Sequence, residues 1–444
     1  MIVTPVVARS DSALGAAPGA RIAKHVALLA PLLAVYVIVT LFASQTPGDE
    51  ASYLQHAENL THGFYSGRGD EIDLWFGPGL PLFLTPLVAL DVPLEITRLL
   101  GPALLFTAVV LFYLVLRLTT SSTVAFSGAL ALGCYVPALQ LLPTLHSEFL
   151  ALLFVVLFMF EFTLDLRRPR LLTLVVSATS LALLAVTRVV FGWVLVAALV
   201  LALAVIVVRR HPAVTRVALV LAIGLALTTP WLAYTYAVAG KPFYWSTSGG
   251  LSLYWMSTPY SGEHGDWHSP EEALSDPRLA PHRPLFERVQ GLNQVEFDDE
   301  VRHEAVRNIR EHPIDYVENV AANVSRLWFS TPFSYTPQKL STTFYIVPNA
   351  LLLTGLVVAA AVFVRARRRR PEALAFAVLL IPSIALQALL SAYTRMLVPL
   401  VPLMLWFVVQ AAVALVESGS QIAETVVPTR PRGYDEGQSS SLEA

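Results

Sequence analysis

The stretch 171–208 reads LLTLVVSATSLALLAVTRVVFGWVLVAALVLALAVIVV, and Arg188 is its only charged residue. A helix crossing the ~30 Å hydrocarbon core of a bilayer needs roughly 20 apolar residues, so this run suffices for two crossings that meet at Thr187-Arg188. Similar blocks recur at 25–43, 96–118, 123–142, 146–164, 214–236, 343–364, 372–391 and 394–416. With 171–187 and 189–208 they predict about ten transmembrane helices in an all-α polytopic membrane protein. Composition agrees. Of 444 residues, 14% are charged and 55% hydrophobic, whereas a soluble domain carries about 25% charged residues. A soluble enzyme, a secreted disulfide scaffold and a disordered chain are excluded. A net charge of -2 gives no basic field for nucleic acid. The single cysteine, Cys134, excludes an internal disulfide and a cysteine-built metal site.

Arginine and lysine gather on the cytoplasmic side of membrane proteins. With the N-terminus inside, the inner segments hold Arg9, Arg21, Lys24, Arg117, Arg167, Arg168, Arg170, Arg209, Arg210, Arg216, Arg365, Arg367, Arg368, Arg369, Arg370, Arg430 and Arg432. The short outer segments hold only Arg68, Arg98, Arg188 and Arg395. The chain is therefore expected to be a multi-pass plasma-membrane protein with both termini cytoplasmic. Its organisation reads as a cytoplasmic tail over 1–24 and seven helices over 25–236, which include a first outer loop at 44–95. An extracytoplasmic loop domain over 237–342, three helices over 343–416 and a disordered cytoplasmic tail over 417–444 follow. Residues 78–90 are apolar but interrupted by Pro78, Pro81 and Pro86, which predicts a re-entrant or interfacial segment.

The inner loops are short, and no G-x-x-x-x-G-K-[ST] phosphate loop occurs, so this chain alone does not drive transport with ATP. The two long outer segments are where chemistry has room. Nucleotide-activated substrates are normally absent there, which leaves a lipid carrier diffusing in the bilayer as the route for a reactive donor.

Thr46-Pro47-Gly48-Asp49-Glu50-Ala51-Ser52-Tyr53 reads as a helix start, with Asp49, Tyr53 and His56 on one face. Thr46 suits an N-cap and Pro47 the first turn, and acids favour a helix N-terminus for structural reasons alone. The other reading makes Asp49 a general base at the membrane surface. Asp70, Glu71 and Asp73 suit either a solvated loop or a second carboxylate cluster. Glu148 opens a span, where acids usually face a cavity or a partner. Arg188 and Arg395, at outer span ends, can pair with an acid or hold a phosphate, for which a guanidinium is well shaped. His264, Asp266 and His268, beside Glu263, are weak candidates for a divalent metal, because their spacing fits no compact zinc signature. Residues 297–329 read as two amphipathic helices broken at His312-Pro313, packed on the membrane-facing side of the loop domain. Asn59-Leu60-Thr61 and Asn323-Val324-Ser325 match the N-glycosylation pattern.

The order of several short motifs resembles the GT-C superfamily of integral-membrane glycosyltransferases, in the branch of protein O-mannosyltransferases and lipid A aminoarabinose transferase. Asp49-Glu50-Ala51-Ser52-Tyr53 is similar to the family's D-E-x-x-Y, with Ala57-Glu58-Asn59-Leu60 and Gly63 after it. Gly79-Leu80-Pro81-Leu82 stands where the family has Pro-Pro-Leu. Leu183 to Thr187-Arg188 matches L-x-x-x-T-R. Pro230-Trp231, Tyr234 and Gly240 match a P-W…N-Y…G exit, with Thr235 in place of the usual Asn. Ala305, Ile309, His312-Pro313 and Trp328 match a loop pattern, and Tyr393 to Pro402 is similar to R-Y-x-x-P-x-x-P with the Arg displaced to 395.

The resemblance implies a GT-C-like arrangement and an inverting glycosyltransferase. Its donor would be a sugar on a polyprenyl phosphate, and its acceptor an extracytoplasmic glycan, lipid or protein hydroxyl. Asp49 maps onto the family's catalytic Asp, with Glu50 and Glu148 as supporting acids. Arg395 or Arg188 would hold the leaving phosphate. A cavity lined by Tyr53, His56, Trp75, Tyr244 and Trp245 is expected to stack on sugar faces. The scheme requires no metal and is compatible with one. The rival reading is a transporter or flippase for a lipid-linked sugar. It predicts charges near mid-membrane and two pseudo-symmetric halves, whereas the charges here cluster at span ends.

Overall fold

A computed structural model describes residues 18–44, 48–208, 211–335, 340–365 and 370–426. The expected N-cap Thr46, the inner-side arginines at 9, 209, 210, 367–369, 430 and 432, and most of both tails lie outside those residues. The described residues are 78% helical and contain no strand, as an all-α polytopic membrane protein requires.

Among the described residues, eight helical segments are long and apolar enough to cross a membrane: Gly19–Phe42, Leu94–Arg117, Ser147–Arg167, Val190–Val208, Pro212–Ala239, Thr343–Arg365, Pro371–Leu389 and Thr394–Ser418. The other two of the ten expected spans form shorter helices, Ser122–Gly133 and Leu171–Thr187. The block 123–142 is divided because Pro137 opens a separate short helix, Val136–Leu139. At Arg188 the backbone is extended, so the long apolar run does break where its one charge stands. The expected helix over 214–236 bends at Thr228, since Pro230 has no N–H for the helical ladder, and continues as Thr229–Ala239.

Ser147–Arg167 is the hub. It packs against Leu100–Arg117, Leu171–Thr187, Pro371–Leu389 and the last span. It is the most buried of the eight. Charge at the N-terminus of this helix therefore sits inside protein rather than in lipid.

The segments 48–93 and 240–335 meet at one end of the bundle, where the Thr247 amide donates to the Leu74 carbonyl and the Leu74 amide to Gln294 Oε1. In the first loop, Glu50–Thr61 buries Tyr53, His56 and Ala57. Gly79–Ala89 forms an 11-residue apolar helix, too short to span, which packs on Glu50–Thr61. Gly77 and Gly79 approach the end of Leu171–Thr187 so closely that a Cβ on either would strike Val186 O or Thr187 Oγ1. The Gly77-Pro78-Gly79 bend thus lies directly against the residues preceding Arg188.

In the long loop, Gln294–Glu311 and Pro313–Phe329 are divided at His312-Pro313, the expected break. The second of these helices is polar on its buried side, with Asn319, Asn323 and Arg326, while Ile314, Val317 and Val324 are exposed. That reversal suits a helix lying on the membrane-facing side of the loops. Asn323 is fully buried and donates to three main-chain carbonyls, so its glycosylation pattern is inaccessible in the folded chain.

Candidate active site at the loop end of the bundle

The site is assembled from four places in the sequence. Asp49 is the N-cap of Glu50–Thr61. His146, Ser147 and Glu148 begin the hub helix. Arg188 follows Leu171–Thr187. Arg395 lies in a 3-10 turn, Thr394–Leu400, ahead of Val401–Val426. Pro399 and Pro402 lack the N–H groups that would close regular α-helical bonds, so the last span starts with the tighter turn.

Arg395 Nη1 is 2.9 Å from Asp49 Oδ2, and its Nε is 3.6 Å from Glu148 Oε1. Arg188 Nη1 is 2.7 Å from the same Glu148 oxygen and 3.5 Å from Ser147 Oγ. Two guanidinium groups therefore face two carboxylates. Glu148 is buried, with 1% of its side chain accessible, whereas Asp49 and Arg395 keep 25% and 31%. Arg188 approaches Glu148 as an ion pair, but neither Glu148 oxygen has a partner in hydrogen-bond geometry. Acids also suit the N-terminal turn of a helix because of its dipole.

The surrounding groups fix this cluster. Tyr53 donates to Ser147 Oγ at 3.0 Å, and burial pushes its phenol above the ordinary range, so it stays neutral. His146 Nε2 meets Thr144 Oγ1 at 2.9 Å, while Nδ1 lies 3.8 Å from Glu148. Burial holds this imidazole below its usual value, so its approach to Glu148 is that of a neutral ring rather than an ion pair. Glu50 points away from Asp49. It takes Arg98 Nε and Nη2 at 2.9 and 2.6 Å and the Leu145 amide at 2.9 Å. Burial pushes its carboxyl up, but the Arg98 and Leu145 bonds outweigh that and hold it below the usual glutamate range. Glu50 thereby anchors the start of Glu50–Thr61 to the segment entering Glu148.

The expected sugar-stacking wall does not form. His56 is buried, stacks on Tyr65 with ring centroids 4.3 Å apart, and lies 3.5 Å from Asp73. Tyr244 donates to Asp298 at 2.8 Å. Trp245 is buried against Gly192, where a Cβ would meet its ring. Trp75 packs edge-on to Trp267. These rings hold the loops together, and only Tyr53 adjoins the charged cluster. Asp70 and Glu71 are exposed in a 3-10 turn, and Asp73 caps the Trp75 amide. The weak metal candidates are likewise not brought together. Asp266 accepts from the Ser334 amide and hydroxyl and from Tyr393, and His268 meets the same Ser334 hydroxyl. The His264 carbonyl is taken by Arg326. Among the described residues no group of three or more His, Cys, Asp and Glu side chains could hold a metal ion. Sequence reasoning missed Arg98, which it counted only as an outer charge, and Tyr393, whose contacts come from a distant loop.

No protein-family model matches the chain, and no curated protein matches it. Among solved structures it is similar to the archaeal oligosaccharyltransferase AglB from Archaeoglobus fulgidus, in complex with an inhibitory peptide and a dolichol-phosphate. The TM-score is 0.49 at 16% identity, over 92% of this chain and 52% of that one. It is also similar to ArnT from Cupriavidus metallidurans bound to undecaprenyl phosphate. There the TM-score is 0.40 at 14% identity, over 94% of this chain and 82% of that one. The chain spans about half the length of the oligosaccharyltransferase it matches. At such scores the likeness decides nothing about the site, whose chemistry rests on this chain's own residues.

Proposed function

We propose that the chain is an inverting glycosyltransferase that moves a sugar from a polyprenyl phosphate to an extracytoplasmic hydroxyl. The observation that carries this reading is the Asp49–Arg395–Glu148–Arg188 cluster. It joins a partly accessible carboxylate, Asp49, through Arg395 and Glu148 to a second guanidinium, Arg188, at the end of an apolar bundle. Transfer of this kind needs a proton acceptor for the attacking hydroxyl and positive charge for the departing phosphate. Both are present within one ion-pair network. The motif resemblance assigns the same roles to Asp49 and the arginines.

In the proposed reaction the acceptor hydroxyl gives its proton to Asp49 as its oxygen bonds to the anomeric carbon. The bond from that carbon to the phosphate oxygen breaks, and the electron pair leaves on polyprenyl phosphate. Arg395 and Arg188 receive the phosphate charge. Glu148, buried beneath them, draws both guanidinium groups to its Oε1 and so aims them at one place. Tyr53, through Ser147, and Glu50, through the Leu145 amide, hold the two helix starts in register. The distribution of arginine and lysine supports an outer location for this end of the bundle, where a lipid-borne donor is available and a nucleotide-borne one is not.

The test is a panel of polyprenyl-phosphate sugars offered to the purified protein in nanodiscs with an envelope acceptor fraction. The reading expects release of polyprenyl phosphate from one donor, with inverted configuration at the new glycosidic bond. Retained configuration, or no release from any donor by folded protein, would overturn it.

A further inference from the structure

Arg326 is a fully buried cation that the proposed chemistry does not use. Its Nε donates to Ala392 O at 3.2 Å, Nη1 to His264 O and Pro332 O at 2.9 and 3.3 Å, and Nη2 to Gly265 O and Asn323 Oδ1 at 2.8 and 2.9 Å. The nearest carboxylate, Asp266, is 4.0 Å away. One turn earlier on the same helix, Asn323 Nδ2 donates to Gln387 O, Ala388 O and Leu390 O at 3.1, 2.9 and 2.7 Å. Its Oδ1 also accepts the Ala392 amide at 2.9 Å.

The last carbonyls of a helix have no partner within it. Asn323 serves those of Pro371–Leu389 from another helix, so the chain leaves that span in a fixed direction. Arg326 then holds Ala392, and Thr394 Oγ1 donates back to Arg326 O at 3.1 Å. Tyr393 donates to Asp266 Oδ1 at 3.0 Å. Every residue from 387 to 394 except Leu389 is thus tied to Asn323, Arg326 or the loop they hold, Ser391 through its Oγ, which donates to Gly265 O at 2.9 Å. The next residue is Arg395. Burying a guanidinium costs several kcal/mol unless its donors are satisfied, so an apolar residue would serve packing alone at least as well. What the buried fork supplies is five directed N–H groups in one plane, which fix a connector in one conformation.

We propose that Asn323 and Arg326 are positioning residues that set the Arg395 guanidinium between Asp49 and Glu148 for the donor phosphate. The assignment of the phosphate rests on the function proposed above; the clamp on Arg395 does not.

Two measurements test it on full-length protein, with Asn323→Ala, Arg326→Lys and Thr394→Val. Thr394→Val removes one hydrogen bond at nearly constant volume, and so remains informative if the other two fold poorly. The first is the rate at which phenylglyoxal modifies Arg395, read by mass spectrometry without any substrate. The clamp predicts faster modification in each folded variant, because the guanidinium leaves its two carboxylates more often. An unchanged rate in Thr394→Val and in one other folded variant overturns the proposal, whatever the enzyme's donor.

The second is kinetic. Displacing a reacting group by about 1 Å costs as much as a hundredfold, so the donor KM should rise about tenfold or more while the acceptor KM holds. In the Arg395→Lys background the same substitutions should add little, since the group they position is gone. Equal rises in both KM values, or effects that multiply fully in the double variants, would overturn the positioning role. If wild type releases no polyprenyl phosphate, the donor assignment fails and the modification rates alone decide the clamp.

Discussion

Arg395 Nη1 lies 2.9 Å from Asp49 Oδ2, although one residue opens the last span and the other follows the first. The contact closes the site: the same guanidinium also reaches Glu148, which Arg188 holds from the other side. A phosphate entering between the arginines would compete with both carboxylates for the same donors. Asp49 would then be freed from Arg395 as the leaving group is bound. In the proposed reaction one side chain thus links the base to the leaving-group site.

Arg395→Ala should therefore weaken donor binding and slow turnover together. A charged hydrogen bond is worth about 1.5–3 kcal/mol, so the donor kcat/KM should fall roughly tenfold to a hundredfold. Arg395→Lys should recover part of this, because a point charge keeps the attraction and loses the fork. Steady-state kinetics with varied donor checks both.

Glu148→Ala should destabilise the fold as well as the activity. Removing one partner of a buried pair strands the other, at a cost of about 3–5 kcal/mol. Here Arg188 would be stranded, inside the bundle end where only 13% of its side chain is accessible. The measurement is the thermal midpoint in one detergent. An unchanged midpoint would mean that water already solvates Arg188.

Two titrations should shape stability on the acid side. The folded chain holds Glu50 below the ordinary 4.5, so the unfolded chain takes up that proton first as pH falls. Its contribution is complete above that value and is lost as pH drops through the lower folded one. His146 is held below 6.5, so its contribution is also complete above its ordinary value and declines beneath it. Glu50→Gln should flatten the lower part of the pH–stability curve, and His146→Phe the upper part. Curves parallel to wild type would contradict these assignments.

Gly79→Ala should impair the site from outside it. The added Cβ meets the Thr187 side chain and Cα, and the adjoining residue is Arg188. Overpacking of this kind costs typically about 1–3 kcal/mol. A lower midpoint accompanied by a higher donor KM is expected, with Gly19→Ala as the control, since nothing lies within 4 Å of a Cβ there and its φ is not left-handed.

Much of this was legible in the sequence because apolar run length and isolated charges are local signals. The run 171–208 carries its own division at Arg188, and His312-Pro313 marks where two helices separate. The charges at span ends stood out against their surroundings, and Asp49, Glu148, Arg188 and Arg395 do meet. The aromatic residues were misread as a cavity wall because a ring buried against a ring looks in sequence like a ring facing a sugar. Tertiary packing decides between them, and it took His56, Tyr244 and Trp245 into the loop core. Asn323 had matched a glycosylation pattern, whereas its partners are carbonyls more than sixty residues away, which no short motif could reveal. The expected span over 123–142 came out short because helix length is set by caps and prolines as well as by apolarity, whereas Leu171–Thr187 has the bounds its apolar run gave it.

The most direct test of the central claim is donor turnover by Asp49→Asn beside wild type, with the donor found active. Asparagine keeps the shape and cannot accept the proton. General-base assistance contributes about 10²–10⁴-fold, so release of polyprenyl phosphate should fall by at least about a hundredfold. The thermal midpoint should stay near that of wild type, since Asp49 is partly solvated. Release within a few fold of wild type would contradict the account, and the base would have to be sought elsewhere in the cluster.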